Sequence, residues 1–240
     1  MLSAAIGGRV RWAFTDRTGG ASAAPYDSLN LGGHVGDDPA FVHANRELLA
    51  SGLGVPRASL VFMDQVHGAA VTAVTAAQPL ALPASDGLVT SVPGLVLVVL
   101  VADCVPVLLA DPTAGVVAAV HAGRPGVLPR IVLEAVRAMA ELGARPETTT
   151  ALLGPAVCAR CYEVPESMRA EVATAVPATW ATSRTGTPSL DLRAGLVAEL
   201  AAVGVGAEPV GPCTVESADL FSYRRDGRTG RFAGAIWLDR

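Results

Sequence analysis

Leu95-Val96-Leu97-Val98-Val99-Leu100-Val101-Ala102-Asp103-Cys104-Val105-Pro106-Val107-Leu108-Leu109-Ala110 is the longest apolar run in the chain. Asp103, Cys104 and Pro106 break it, so it falls short of the roughly 20 apolar residues that span a bilayer and reads as two buried strands, 95–102 and 105–110. The Val and Leu density of the first, with little alternation, predicts a central strand covered on both faces. Working outward, β-rich segments are expected at 9–16, 59–67, 69–75, 87–90, 115–121, 149–153 and 232–238. Helical spacing of Leu128, Ile131, Val132, Ala135, Val136 and Met139 predicts a helix over 127–142, with Gly143 at its C-cap. A second helix starts at Pro39, is capped by Asp37 or Asp38, stops near Gly52 or Gly54 and carries Asn45 and Arg46. Further helices are expected from about Pro165 and from Asp191 to Val203. Strands and helices do not alternate regularly, and no Gly-x-Gly-x-x-Gly follows a strand, which argues against a dinucleotide-binding fold. The expected class is α+β, a mixed sheet flanked by helices in a single domain over 1–240, with neither repeat nor linker.

Composition narrows the chemistry. All 18 basic residues are Arg. Without Lys there is no phosphate-cradling Walker loop, no Schiff-base amine and no Lys base. Four His fall short of the roughly ten imidazoles of a multicopper oxidase with blue-copper and trinuclear sites. A net charge of −4 and one short basic cluster, Arg224, Arg225, Arg228 and Arg231, argue against nucleic acid as a partner. Residues 1–9 lack the charged start and apolar stretch of a signal peptide, and four Cys fit a reducing compartment. The expectation is a cytoplasmic, soluble protein with no membrane partner.

Three soft ligands sit at or just beyond the ends of apolar segments: His67 in Gln65-Val66-His67-Gly68, Cys104 after Asp103, and His121 in His121-Ala122-Gly123. Two imidazoles and a thiolate suit a zinc site with one open position. The same residues also read as core-edge histidines with a small buried thiol, or as a Cys104 nucleophile with a His base. Cys158-Ala159-Arg160-Cys161 has redox spacing, but no thioredoxin-like pattern surrounds it and no second Cys pair completes a four-thiolate zinc site. Asn30, His34, Arg46 and Arg231 are polar residues near turns or a helix that suit an anion.

These segments together resemble the YfiH-like family, also called the laccase-domain or polyphenol oxidase family and described as purine nucleoside phosphorylases. The resemblance rests on Ser28-Leu29-Asn30-Leu31-Gly32 with His34-Val35-Gly36-Asp37-Asp38, Asn45-Arg46, Gln65 to Gly68, Ala102 to Pro112, His121 to Gly123, Gly154-Pro155 with Cys161-Tyr162-Glu163-Val164, and Phe221 to Arg231. It implies a mixed fold like that of certain cysteine hydrolases, and a zinc ion, or alternatively copper, on His67, Cys104 and His121. It also implies phosphorolysis of adenosine, inosine and methylthioadenosine, with some adenosine deamination. Arg46, Cys104 and Asp103 are the expected catalytic residues; Asn30, His34, Gln65, Glu163 and Arg124 are expected at the nucleoside or phosphate. Asp103 and Glu163 are candidate proton carriers, Asp103 equally a partner that orients a ligand His. The family's usual Trp-Arg after His-Ala-Gly is here Arg124-Pro125, where the missing charge falls to Arg124. A monomer or weak homodimer is expected. The alternatives are a Cys-dependent amidase acting on cell-wall peptides and a non-enzymatic nucleoside- or metal-binding protein.

Overall fold

The computed structural model describes residues 2–5 and 8–240, with side chains from residue 8 onward. Met1, Ile6 and Gly7, part of the stretch read above for a leader, lie outside the described residues. The strands are β1 (Leu2–Ala5), β2 (Val10–Phe14), β3 (Leu60–Phe62), β4 (Val71–Ala73), β5 (Gly87–Thr90), β6 (Val96–Val101), β7 (Val105–Asp111), β8 (Val116–Ala122), β9 (Thr150–Leu153), β10 (Trp180–Thr182), β11 (Pro188–Leu190), β12 (Gly206–Pro209) and β13 (Phe232–Leu238). The helices are α1 (Pro39–Leu53), α2 (Arg124–Val127), α3 (Ile131–Glu141), α4 (Glu166–Ala175), α5 (Leu192–Ala202) and α6 (Tyr223–Asp226). Among the described residues the strands form a five-stranded sheet, β1-β2-β13-β6-β3, a six-stranded sheet, β12-β9-β7-β8-β5-β4, and a small β10-β11 pair. Both large sheets mix parallel and antiparallel neighbours.

The period of two along each strand builds the layers. On β6, Leu97, Val99 and Val101 face Leu108, Ala110, Val117 and Ala119 of the other sheet. Val96, Val98 and Leu100 face the opposite way, against Leu49 and Ala50 of α1. On the outer face of the six-stranded sheet, Val107, Leu109, Ala118 and Val120 pack against Ile131, Val132 and Met139 of α3 and Leu196 and Leu200 of α5. The order of layers is helix, sheet, sheet, helix. The expected mixed α+β class is what forms, with β6 covered on both faces and two stacked sheets in place of one.

The two halves of the opening run therefore part company: β6 belongs to one sheet and β7 to the other. The chain crosses between them at Ala102-Asp103-Cys104, with Asp103 at φ 98°, a conformation sparsely populated by non-glycine residues.

Asp38 caps α1 by accepting from Ala40 N at 2.8 Å, and Gly54 ends it at φ 69°. Asp191 caps α5 by accepting from Ala194 N at 2.9 Å. The expected 127–142 helix divides into α2 and α3, because Pro129 lies inside the run and Arg130 turns to φ 59°. β10, β11 and β12 were not anticipated; Gly206-Ala207-Glu208-Pro209 shows no apolar alternation, pairs in parallel with β9 and packs only Ala207 against the core. Among the described residues no helix is long and apolar enough to cross a membrane.

Phe14 fixes the spacing at one point of the inter-sheet core. A Cβ on Gly154 would lie 2.3 Å from the Phe14 ring, and one on Gly234 2.9 Å from it. Gly154→Ala is expected to destabilise the protein by about 1–3 kcal/mol through overpacking, read as a lower urea midpoint. A midpoint equal to wild type would mean that the Phe14 ring has room to yield.

Candidate active site and metal centre

Three donors meet at the crossing. His67 follows β3 of the five-stranded sheet, Cys104 lies between the sheets, and His121 is on β8 of the six-stranded sheet. Their donor atoms lie within 4.8 Å of one another. Cys104 Sγ is 3.9 Å from His67 Nε2, and the two imidazoles stand edge to face with centroids 4.6 Å apart.

Asp86, fully buried just before β5, organises this arrangement. Its carboxylate accepts the backbone N–H groups of Val66 at 3.2 Å, His67 at 2.9 Å and Gly68 at 2.7 Å. The same carboxylate accepts from His121 Nδ1 at 2.8 Å. The three amides hold the 66–68 turn, where His67 sits at φ 61°. The fourth bond fixes a His121 proton on Nδ1 and turns Nε2 toward the cluster. Burial raises the Asp86 carboxyl, but the bond from His121, the Gly68 and His67 amides and the His121 charge together hold it below its ordinary value.

Burial likewise pushes the Cys104 thiol up, yet the His121 charge and the hydrogen bonds from His121 and His67 bring it down to about 6. Burial pulls His121 down, and the Cys104 thiolate together with Asp86 lifts it to about 9. In the metal-free protein the pair is a thiolate beside an imidazolium. Gly123 closes the cluster from behind: a Cβ there would lie 2.8 Å from His67 Cδ2 and 3.0 Å from Cys104 Sγ. Two imidazoles and a thiolate, one imidazole pre-oriented by a carboxylate, fit zinc or copper by the softness of the donors.

The cluster opens into a cavity of about 400 Å³ whose wall includes His34, Arg124, Tyr162, Tyr223, Arg224 and Arg231, a size typical of small-molecule sites. Arg224 lies over the Tyr162 ring at 5.2 Å. Burial, and after it the Arg231 charge, lowers the His34 pKa. The short basic cluster is thus divided. Arg224 and Arg231 line the cavity, Arg231 while donating from Nη1 to Thr229 O at 3.0 Å and Gly230 O at 2.9 Å; Arg225 donates to Thr214 O, Ser217 O and Leu220 O, and Arg228 to Tyr26 Oη and Gly36 O.

Of the other expected residues, Gln65 lines the cavity while exchanging two hydrogen bonds with the backbone of Leu100, at 2.7 and 2.8 Å. Asp103 also reaches the wall, but its carboxylate accepts from Thr214 Oγ1 at 2.6 Å, Ser222 Oγ at 2.7 Å and Arg224 N at 2.6 Å. The orienting part considered for it is taken by Asp86. Arg46 does not reach the wall; it donates to Leu31 O at 3.0 and 2.9 Å and stacks on Phe62. Burial, then the Arg57 charge, lowers its guanidinium to about 10. Asn30 is fully buried, with Oδ1 accepting from Gly32 N and Arg231 N. Glu163 does not line the cavity; its carboxylate accepts from Ser183 and Thr185. Sequence reasoning missed Asp86, whose one signal was an isolated carboxylate abutting a strand with no polar partner nearby in sequence. Tyr162, Tyr223 and Arg224, which also line the cavity, lie within the segments that carry the resemblance but have no assigned part in it.

Together these features make the cavity, with its soft-donor cluster, the candidate small-molecule site of the chain. The chain belongs to the family described as multi-copper polyphenol oxidoreductase laccase, whose model matches residues 11–239. It is 58% identical to a purine nucleoside phosphorylase of Streptomyces griseus over 240 residues, covering 99% of this chain and 98% of that protein. It is 60% identical to a purine nucleoside phosphorylase of Streptomyces coelicolor over 234 residues, covering 96% of each chain. The fold is similar to the crystal structure of the Bacillus licheniformis hypothetical protein YfiH, with a TM-score of 0.87 and 32% identity over 96% of this chain and 93% of that one. The YfiH-like resemblance thus holds. Of the four histidines, His43 stands exposed on α1 and only His67 and His121 join the cluster.

Asp86→Ala is expected to weaken zinc binding about 10–100-fold, measured by chelator competition, because the candidate ligand His121 loses its orienting partner. Unchanged affinity would remove Asp86 from the site. A second expectation concerns pH. Since the Cys104 value is depressed, the thiolate is present above pH about 6 and is lost as pH falls through that value. Iodoacetamide labelling of Cys104 in metal-free protein should therefore reach half its maximal rate near pH 6, and a profile centred at the ordinary thiol value would contradict the ion pair.

Proposed function

We propose that the protein is a zinc-dependent purine nucleoside phosphorylase that cleaves adenosine, inosine and S-methyl-5'-thioadenosine with inorganic phosphate, and that deaminates adenosine as a side reaction. The observation that carries the reading is a single cavity in which a His–Cys–His donor set shares a wall with three guanidinium groups and two phenol rings. A nucleoside and a phosphate need such a combination, flat surfaces for the base and fixed cations for the anion. The names of the Streptomyces relatives support its phosphorylase part.

In this reading Arg224 and Arg231, with Arg124, hold phosphate so that one oxygen faces the anomeric carbon. A carbon–oxygen bond then forms as the glycosidic carbon–nitrogen bond breaks and its electron pair leaves with the purine. Positioning and charge stabilisation provide most of the acceleration. Tyr162 and Tyr223 supply the flat surfaces for the base. Asn30 and Arg46 act one step back: Asn30 fixes the backbone of Arg231, and both brace the 30–37 loop that presents His34. Asp103 anchors the segment carrying Tyr223 and Arg224. Zinc, held by His67, Cys104 and His121, supplies Lewis-acid polarisation when bound.

A second reading, a hydrolase with Cys104 as nucleophile, is favoured by the thiolate–imidazolium pair alone. The two separate in one experiment. Inosine and adenosine turnover should require phosphate and release a sugar phosphate, and both chelation and Cys104→Ala should abolish it. Arg231→Ala should raise the KM for phosphate at least about tenfold, the loss of a charge-assisted contact. Turnover without phosphate, or full activity after metal removal, would overturn the phosphorylase reading. Activity that survives chelation but not alkylation of Cys104 would favour the hydrolase.

A further inference from the structure

The remaining three cysteines are not scattered. Cys158, Cys161 and Cys213 are free thiols whose sulfur atoms lie within 4.8 Å of one another, away from the His67–Cys104–His121 cluster. The Cys158 N–H points at Cys213 Sγ across 3.4 Å, bridging 55 residues of sequence.

Two turns of equal length build the group. Cys158-Ala159-Arg160-Cys161 closes through the N–H groups of Cys161 and Tyr162, each donating to Cys158 O at 3.0 Å. Cys213-Thr214-Val215-Glu216 closes through Ser217 N donating to Cys213 O at 3.0 Å. The chain segments entering the turns run side by side, with Ala156 and Cys213 in a parallel bridge and Thr214 N donating to Ala156 O at 3.1 Å. Glu216 occupies in the second turn the place that Cys161 occupies in the first, and its Oε1 accepts from Cys161 Sγ at 3.5 Å. Arg184 pairs with that carboxylate and orients it. The second turn carries Glu216 where the first carries its second cysteine; among the described residues the three sulfurs alone share the mutual 4.8 Å spacing, and the carboxylate stands beside them against Cys161.

We propose that Cys158, Cys161 and Cys213 bind a zinc ion as thiolates, with the Glu216 carboxylate in the fourth position, in a structural site separate from the one at the cavity. Three sulfurs and one oxygen are too soft a set for magnesium or calcium and suit tetrahedral zinc. Binding sends the three thiol protons to solvent. The ion's role is mechanical. Tyr162, which follows Cys161 directly, stands on the cavity wall, and Thr214, which follows Cys213, donates to Asp103. An ion joining the two turns staples the wall segments 158–164 and 213–225 to the crossing between the sheets.

The test uses the full chain, purified with reductant and zinc, then desalted for metal analysis. Cys104→Ala, which disables the cavity cluster, should retain close to one equivalent of zinc. After exchange with cobalt(II) it should show sulfur-to-cobalt charge-transfer bands with tetrahedral d–d intensity. Adding Cys158→Ser and Cys161→Ser should remove the ion and the bands while far-ultraviolet circular dichroism is kept. Glu216→Gln should retain the bands and bind zinc more weakly. Zinc-free Cys104→Ala protein, or zinc that persists after both serine substitutions, would overturn the proposal. If the serine variants do not fold, the metal content and cobalt spectrum of Cys104→Ala decide alone: bands with fewer than three thiolates count against it.

Discussion

A carboxylate buried in a protein interior stays charged only if donors surround it, and Asp86 is where this constraint shapes the whole molecule. Its four donors come from two places, the 66–68 turn after β3 and the β8 histidine. One buried charge therefore joins the two sheets, selects the conformation of one candidate ligand and fixes the ring orientation of the other. The electrostatics of the cluster descend from it: Asp86 supports a protonated His121, and His121 in turn supports a thiolate at Cys104.

Much of the architecture was legible because local periodicity and local caps carry it. The β6 run had no alternation since both its faces are buried, and the ends of α1 were marked by Asp38, Pro39 and Gly54. What stayed hidden is non-local. No pattern in 95–110 says that its two strands belong to different sheets, because both are equally apolar. Only the positive φ at Asp103, a tertiary outcome, separates them. β12 escaped for a related reason, since it pairs with β9 and offers the core only Ala207, too little for a periodic signal.

The candidate site divides in the same way. His67, Cys104 and His121 were readable as soft donors at strand ends, and the structure gathers them. Arg46, Asn30 and Glu163 carry side chains suited to an anion or a proton, but residue type says nothing about which backbone groups need satisfying nearby. Arg46 and Asn30 are consumed by the carbonyls and amides of the 30–37 loop and Arg231, and Glu163 by hydroxyls of the 183–187 turn. In a chain without Lys, Arg does both jobs. Arg225 and Arg228 cross-brace loops through carbonyls, Arg224 lines the cavity, and Arg231 does both, holding Thr229 O and Gly230 O from the cavity wall.

The crossing at Asp103 has one more consequence. Because the three donors are carried by different sheets and by the link between them, their mutual spacing is a gauge of how the sheets are stacked. Any slip of one sheet over the other changes donor separations before it exposes much core. A ligand that grips all three donors favours the fully stacked state over every partly opened one, so occupancy of the cluster and cohesion of the inter-sheet core are thermodynamically linked quantities. Chemistry at the seam and stability of the sandwich thus share a single degree of freedom.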